Sequence, residues 1–480
     1  MGSKRVAVIG AGASGLAAIK ACLDEGLTPV CFERTDGLGG LWRYTDEPIE
    51  GQGCVMKSTV INTSKEMMTY SDFSVPENYP NYMHHTQVHE YFKLYTEHFG
   101  LEQHINYHEE VLYVKKAEDY VQSGRWEIKH RNRKSGQEKL QVFDGVLVCS
   151  GHHADKHMPP FPGLNEFKGQ VLHSHDYRAS EGHHDKRVLV IGVGNSGGDA
   201  AVEISRRASQ VFLSTRSGTW IFSRVSHRGY PMDMLLLTRP IACLIKHLPR
   251  LMDMLLRRQL NDRFDHVLYS LRPKHGPLSQ AVTINDDMPS RIICGSIQIK
   301  TDIKRFTSRG VEFVDGTFED NIDLVILATG YSFGFPFIDK EGVTSLPSRG
   351  MMWDDIKNKE AAVARRYVKS QRHTIQVDSI SFMDELAQLI GCHLGFVDLL
   401  KDPLLALKVM FGPVTPYTYR LTGPGKWAGA RHAIMTQWRR VEAPLKTRSV
   451  PLARHSGVTD SCVICLCLAF AFFLLWFMFG

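Results

Sequence analysis

Several absences narrow the reading of this sequence before any motif does. No long run of lysine or arginine and no basic repeat occurs, and a formal net charge of +6 is mild for 480 residues. That argues against a nucleic-acid partner, which is normally met by clustered cationic side chains. The ten cysteines show no disulfide-framework spacing, which suits a reducing compartment. Cys462, Cys465 and Cys467 cluster in an apolar run with no histidine or acid beside them, so zinc has no ligand set there. The pairs His152-His153 and His183-His184 lack a spacing that would close a coordination sphere, and no metal is expected. With 43% hydrophobic and 22% charged residues, the composition is that of a globular chain long enough for two to four packed units.

The two ends of the chain are both apolar, for different reasons. Residues 461–480, "SCVICLCLAFAFFLLWFMFG", carry no charge; at about 1.5 Å per residue they span about 30 Å, one bilayer core. Lys446, Arg448 and Arg454 lie just upstream, on the side that the positive-inside rule keeps cytosolic. A C-terminal membrane anchor is the expectation, with a buried core helix as the alternative. At the other end, "KRVAVIGAGASGLAAIKACL" has the outline of a signal peptide, but three glycines at fixed spacing give it another meaning.

Lys4 to Ile9 is a short β-branched strand. It runs into Gly10-Ala11-Gly12-Ala13-Ser14-Gly15 and then a helical stretch, Leu16 to Glu25. This strand-loop-helix order makes a GxGxxG motif specific: Gly10 for the tight turn, Gly12 for close approach of a pyrophosphate, Gly15 for packing. The next strand, Thr28 to Phe32, ends in Glu33, a carboxylate suited to ribose hydroxyls and hostile to a 2′-phosphate. The pattern recurs at Arg187 to Ile191, Gly192-Val193-Gly194-Asn195-Ser196-Gly197 and a helix through Ile204; the following strand, Gln210 to Ser214, ends in Thr215-Arg216. An arginine in the acid's place pairs with a 2′-phosphate. Two loops with opposite ribose partners imply two dinucleotides, FAD and NADPH.

Two apolar strands, Phe143 to Ser150 and Ile322 to Leu327, end in glycine exits where the chain would cross between units. The expected fold class is therefore α/β, with two Rossmann-like dinucleotide-binding domains, the NADPH domain inserted in the FAD domain. The FAD domain would begin at 1–153. The NADPH domain would be 154–330, with a helical insertion at about 219–295, and 331–445 would return to the FAD domain. The stretch 232–271, rich in Met, Leu and Arg at helical spacing, packs on the core or forms an amphipathic face toward membrane or substrate channel; the pattern serves both. Disulfide reductases of this plan need a cysteine pair near the flavin, and Cys54 is alone.

Between the two glycine motifs lies Phe167-Lys168-Gly169-Gln170-Val171-Leu172-His173-Ser174-His175-Asp176-Tyr177, which matches the FxGxxxHxxxY fingerprint of flavin-containing and Baeyer–Villiger monooxygenases. With "ERTDGLGGLWR", "NTSKEMM", "GVGNSGGD" and "ATGYSF", the chain resembles the animal flavin-containing monooxygenases over most of its length. "RFDHVLYSLRPKHGPLSQ" and "SQRHTIQ" look closest to the fifth isoform type. The resemblance implies NADPH-dependent reduction of FAD, addition of O2 to give a C4a-hydroperoxyflavin, and oxygenation of soft sulfur or nitrogen nucleophiles or of carbonyl compounds. It adds Gly40, Leu41, Trp42, Ile61, Asn62, Thr63, Gly198, Asp199, Thr329 and Gly330 to the cofactor-contacting residues.

Asn62 opens an N-x-[ST] sequon and has three readings: glycosylation site, turn residue, or an amide that does chemistry. The resemblance implies the third, beside flavin and nicotinamide, where its NH2 donates and its oxygen accepts. The implied partners are small lipophilic substrates, O2 and a membrane, on the cytosolic face of the endoplasmic reticulum; an oligomer is compatible with all of these. One departure stands out. After Phe337 the family continues for several tens of residues before rejoining "LPS", whereas here Phe337-Ile338-Asp339-Lys340 runs straight on to Leu346-Pro347. Loss of a core strand and helix there implies weakened FAD retention and little turnover.

Overall fold

The computed structural model describes residues 2–280, 282–332, 334–338 and 378–448. The segment after Ile338 and the expected membrane anchor, 461–480, lie outside the described residues. Among those described, no helix is long and apolar enough to cross a membrane.

The first sheet contains β1 (Arg5–Ile9), β2 (Thr28–Glu33), β3 (Ile105–Tyr107) and, on the far side of β1, a strand at Gly145–Val148. All are parallel. β1 and β2 read as near-continuous apolar runs because both faces are covered. One face takes α1 (Ala13–Asp24), with Leu16 and Ile19 buried to 0% exposure. The other takes an antiparallel meander of β4 (Glu109–Lys116), β5 (Trp126–Asn132) and β6 (Glu138–Phe143), joined through Ile9, Phe32, Val114, Ile128 and Phe143. The stretch expected as one strand from Phe143 to Ser150 is in fact two. Phe143 closes the meander, and β7 (Gly145–Val148) belongs to the first sheet. Asp144 makes the break: its carboxylate accepts from the Arg5 N–H at 2.8 Å, which turns the chain from one sheet to the other.

No described strand pairs beyond β7, and Leu147 and Val148 on it are 39% and 36% exposed. Among the described residues β7 is therefore an outer strand of the first sheet.

The second sheet is wholly parallel. Its strands are β8 (Gln170–His173), β9 (Arg187–Ile191), β10 (Gln210–Ser214), β11 (Ile297–Lys300) and β12 (Leu324–Leu327), in the order β11-β10-β9-β12-β8. The expected second strand-loop-helix is present, β9 leading to a helix at Asn195–Ile204. The stretch 232–271 is helical only to Arg263, as Met232–Leu236, Arg239–His247 and Pro249–Arg263.

Four further α-helices follow among the described residues: Ser379–Leu389, Phe396–Lys401, Pro403–Phe411 and Ala430–Glu442. The last docks on the short helix Lys65–Met68 through a buried ion pair. Arg440 Nε donates to Glu66 Oε1 at 3.0 Å, and the Tyr417 hydroxyl donates to Glu66 Oε2 at 3.1 Å. Glu66 has no solvent exposure. Burial pushes its carboxyl up from the ordinary value, and the Arg440 charge opposes that. Asn81 Nδ2 adds a bond to the Val441 carbonyl at 2.8 Å. Removing one partner of such a pair strands the other charge. Arg440→Ala is therefore expected to destabilise the protein by about 3 kcal/mol, read as a lower midpoint in urea unfolding.

Candidate functional site

At the end of β1 the chain reverses at Gly10, φ +102°, where a Cβ would sit 2.7 Å from the Cys149 carbonyl oxygen. Gly15 presses on the same turn, since a Cβ there would lie 1.8 Å from the Gly10 oxygen. Gly12 is the N-cap of α1, and Ala13 and Ser14 open its first turn, Ser14 exposed. The loop Gly39-Gly40-Leu41-Trp42 lies alongside. The Gly39 N–H donates to the Ala11 oxygen at 2.9 Å, and a Cβ on Gly40 would stand 3.1 Å from Gly12 Cα. A helix N-terminus with free amides beside a backbone-lined groove is the fit a pyrophosphate requires.

Glu33 is 7% exposed and grips its own loop. Oε2 accepts from the Ala11 N–H at 2.8 Å, and Oε1 from the Thr35 N–H and hydroxyl at 2.9 and 2.8 Å. The sequence suggested a carboxylate aimed at ribose alone. In the structure it first fixes the glycine turn, leaving its remaining lone pairs for a ligand.

In the second loop, Gly192 has φ +107° and would place a Cβ 2.5 Å from the Ala328 oxygen; Gly197 would place one 1.9 Å from the Gly192 oxygen. Gly194 differs. It is the N-cap of the helix Asn195–Ile204, and nothing lies within 4 Å of a Cβ built there. The protein itself does not need a glycine at that position, so the open space is room for a ligand. Ser196 and Arg216 are exposed, and Arg216 has no protein partner among the described residues. Thr215 is structural: its Oγ1 accepts from the Gly218 N–H at 3.0 Å and its N–H donates to the Lys300 oxygen at 3.0 Å.

Asn195 also turns inward. Its Oδ1 accepts from the Ile284 N–H at 2.8 Å and its Nδ2 donates to the Val282 oxygen at 3.2 Å, so its amide is spent on protein. Gly198 packs against Met288, whose Cε is 2.8 Å from a Cβ built there. Asp199 accepts from Asn285 Nδ2 at 2.9 Å. Burial pushes its carboxyl up to about 6, against the pull of the Arg224 charge. Thr329 and Gly330, φ +87°, bond to the main chain of His157 and close the end of β12.

Asn62 lies between buried Ile61 and exposed Thr63, and is half-buried. Its Oδ1 accepts from Arg224 Nη2 at 2.7 Å. Arg224 Nε donates to the Ile61 oxygen at 3.1 Å, and Nη2 also reaches the Val60 oxygen at 3.3 Å. Asp233 Oδ2 accepts from the Ser64 N–H at 2.6 Å. The oxygen expected to serve the cofactor thus already has a protein donor, and the NH2 has no partner among the described residues. Arg224, Asp233 and Asp286 were missed from the sequence. They lie some 160 to 220 positions from Asn62, and no local spacing connects them to it.

Two glycine loops, one backed by a carboxylate and one followed by an exposed arginine, define a two-dinucleotide oxidoreductase. A family model described as Flavin-binding monooxygenase-like matches residues 3–341 and 340–479. Flavin-containing monooxygenase 5 of Cavia porcellus is 45% identical over 529 residues, covering 98% of this chain and 99% of that one. Flavin-containing monooxygenase 2 of Homo sapiens is 41% identical over 515 residues, covering 95% and 96%. Among solved structures, an oxidized steroid monooxygenase bound to NADP shares the fold at a TM-score of 0.52 and 20% identity, over 69% of this chain and 72% of that one. The chain belongs to the flavin-binding monooxygenase-like family; it is a flavin-containing monooxygenase by kinship, with FAD and NADPH as cofactors. The two matched pieces meet at residues 340–341, and an alignment over 529 residues against a chain of 480 leaves several tens of residues of the relative without a counterpart.

The glycine geometry separates two substitutions. Gly15→Ala is expected to abolish FAD content. Gly194→Ala should melt at the wild-type temperature yet raise KM for NADPH about tenfold, a cost of about 1.4 kcal/mol; flavin absorbance, Tm and steady-state kinetics read both. Asp199 gives a pH dependence. Its folded pKa, about 6, lies above the ordinary 3.8, so its contribution to stability is present below that ordinary value and lost as pH rises through about 6. Asp199→Asn should remove this loss and be more stable at neutral pH by on the order of 1 kcal/mol, measured by denaturant midpoints across pH 4 to 7.

Proposed function

We propose that the protein catalyses NADPH- and O2-dependent oxygenation of small lipophilic substrates, either soft sulfur and nitrogen nucleophiles or carbonyl compounds by Baeyer–Villiger insertion. The observation that carries this reading is the pair of unlike glycine loops, together with an Asn62 amide whose oxygen is clamped by Arg224. Reduced FAD supplies the oxygen-activating chemistry. The chain's own residues do the rest. The first loop and Gly40 hold the flavin pyrophosphate, the second loop and Arg216 hold NADPH, and Asn62 directs its NH2 donors toward developing negative charge.

The proposed setting is the cytosolic face of the endoplasmic reticulum membrane, reached through 461–480. Exposed apolar side chains support a membrane-facing insertion: Leu251, Met254 and Leu255 on the helix Pro249–Arg263, and Leu404, Leu407 and Met410 on Pro403–Phe411. Exposed Lys246, Arg250 and Arg258 lie among the first group, as on a helix that sits in a headgroup layer.

The family segment that has no counterpart after Phe337 favours a second outcome for the reduced flavin. A shortened first domain encloses its cofactor poorly, and water that reaches the flavin diverts oxygen to peroxide. The purified protein is therefore expected to hold FAD well below one per chain, and to release most of the oxygen it reduces as H2O2. Absorbance in the flavin bands and peroxide formed per NADPH, with and without a sulfide or ketone, measure this. Stoichiometric FAD with tightly coupled substrate oxygenation would overturn the expectation of a compromised enzyme. No flavin and no NADPH consumption would overturn the enzymatic reading itself.

A further inference from the structure

Residues 282–285 bond to the second glycine loop at each successive position. The Val282 oxygen accepts from Asn195 Nδ2 at 3.2 Å, and Thr283 Oγ1 donates to the Val193 oxygen at 2.9 Å. The Ile284 N–H donates to Asn195 Oδ1 at 2.8 Å, and Asn285 Nδ2 donates to Asp199 Oδ1 at 2.9 Å. Thr283 and Asn285 are 3% and 4% exposed, so these bonds are shielded from water and specific in geometry.

Asp286, the next residue, faces the other way. Its Oδ1 accepts from the Arg224 N–H at 3.0 Å and from the Ser223 hydroxyl, and its Oδ2 accepts from Arg224 Nη1 at 3.1 Å. Asp286 therefore holds Arg224 at both ends, backbone and guanidinium. The other arm of that guanidinium reaches Asn62 Oδ1 at 2.7 Å. A guanidinium has donors and no acceptor, so it admits only the oxygen of the Asn62 amide and turns the NH2 away. Without Asp286 the fork would keep only neutral acceptors, and rotation would free the amide to flip.

We infer that Asp286 is a positioning residue that couples the NADPH-binding loop to the Asn62 amide through Arg224. The inference rests on the proposed function, because it requires a dinucleotide at the second loop. It goes further in making the orientation of Asn62 depend on that loop rather than on the flavin loop beside it. Arg224 also acts electrostatically on Asp199 of the same loop, so the two ends of the chain of contacts sense one charge.

Hydrogen exchange on the full-length, detergent-solubilised protein, with NADP⁺ as the probe, tests this. Saturating NADP⁺ is expected to slow amide exchange across 60–66 by at least about fivefold, the low end of ordinary coupling between sites. Asp286→Asn keeps the size and loses the charge. It should bind NADP⁺ within about threefold of wild type while the slowing at 60–66 disappears, as expected when coupling rather than affinity is lost. Arg224→Lys, which cannot fork, should behave the same way and serves if the first variant does not fold. Asp286→Glu should restore part of the slowing. Undiminished slowing in Asp286→Asn or Arg224→Lys overturns the inference, as does wild-type protein that binds NADP⁺ with no change at 60–66. Failure of the wild type to bind NADP⁺ at all overturns the functional reading and the coupling with it.

Discussion

Buried backbone donors and acceptors must be paired, and the stretch that carries Asn62 has only an isolated bridge, Val60 to His84, toward that end. Side chains from distant parts of the chain supply further partners. Arg224 takes the carbonyls of Val60 and Ile61, Asp233 takes the Ser64 N–H, and Arg440 with Tyr417 anchors Glu66 a helical turn later. The turn is thus the meeting point of the first sheet, the helical insertion and the C-terminal helices. Its conformation depends on all three being in place.

This arrangement explains how a chain without the family's full middle segment keeps a defined site. The described contacts that hold the Asn62 turn come from stretches on either side of residues 340–341. Among the described residues the second sheet has five paired strands, with a buried cluster on each face.

Much of the fold was legible in the sequence because it is local. β1, β2 and the glycine turns are fixed by β-branched runs and by positions where a Cβ has no room, and the structure has them within a residue or two of expectation. The division at Asp144 was not legible, since Phe143 to Val148 is one apolar run and only a hydrogen bond to Arg5, 139 positions away, splits it. Of the candidate site, the glycine turns were legible through motifs, and the structure forms both of them. The uses of Glu33 and Asn195 were not, because a side chain that serves its own loop and one that serves a ligand have the same spelling. Arg224 and Asp286 had no signal at all: their relation to Asn62 exists only after the insertion folds back over the turn.

Arg216 stands exposed at the end of β10, while Glu33 is nearly sealed beneath its loop. An exposed cation meets a phosphate through water, and mobile ions screen that attraction over a Debye length of about 8 Å at physiological ionic strength. On the proposed function, discrimination by Arg216 between phosphorylated and unphosphorylated nicotinamide cofactor would weaken as salt rises. The grip of Glu33 on the first glycine loop is buried and is screened far less.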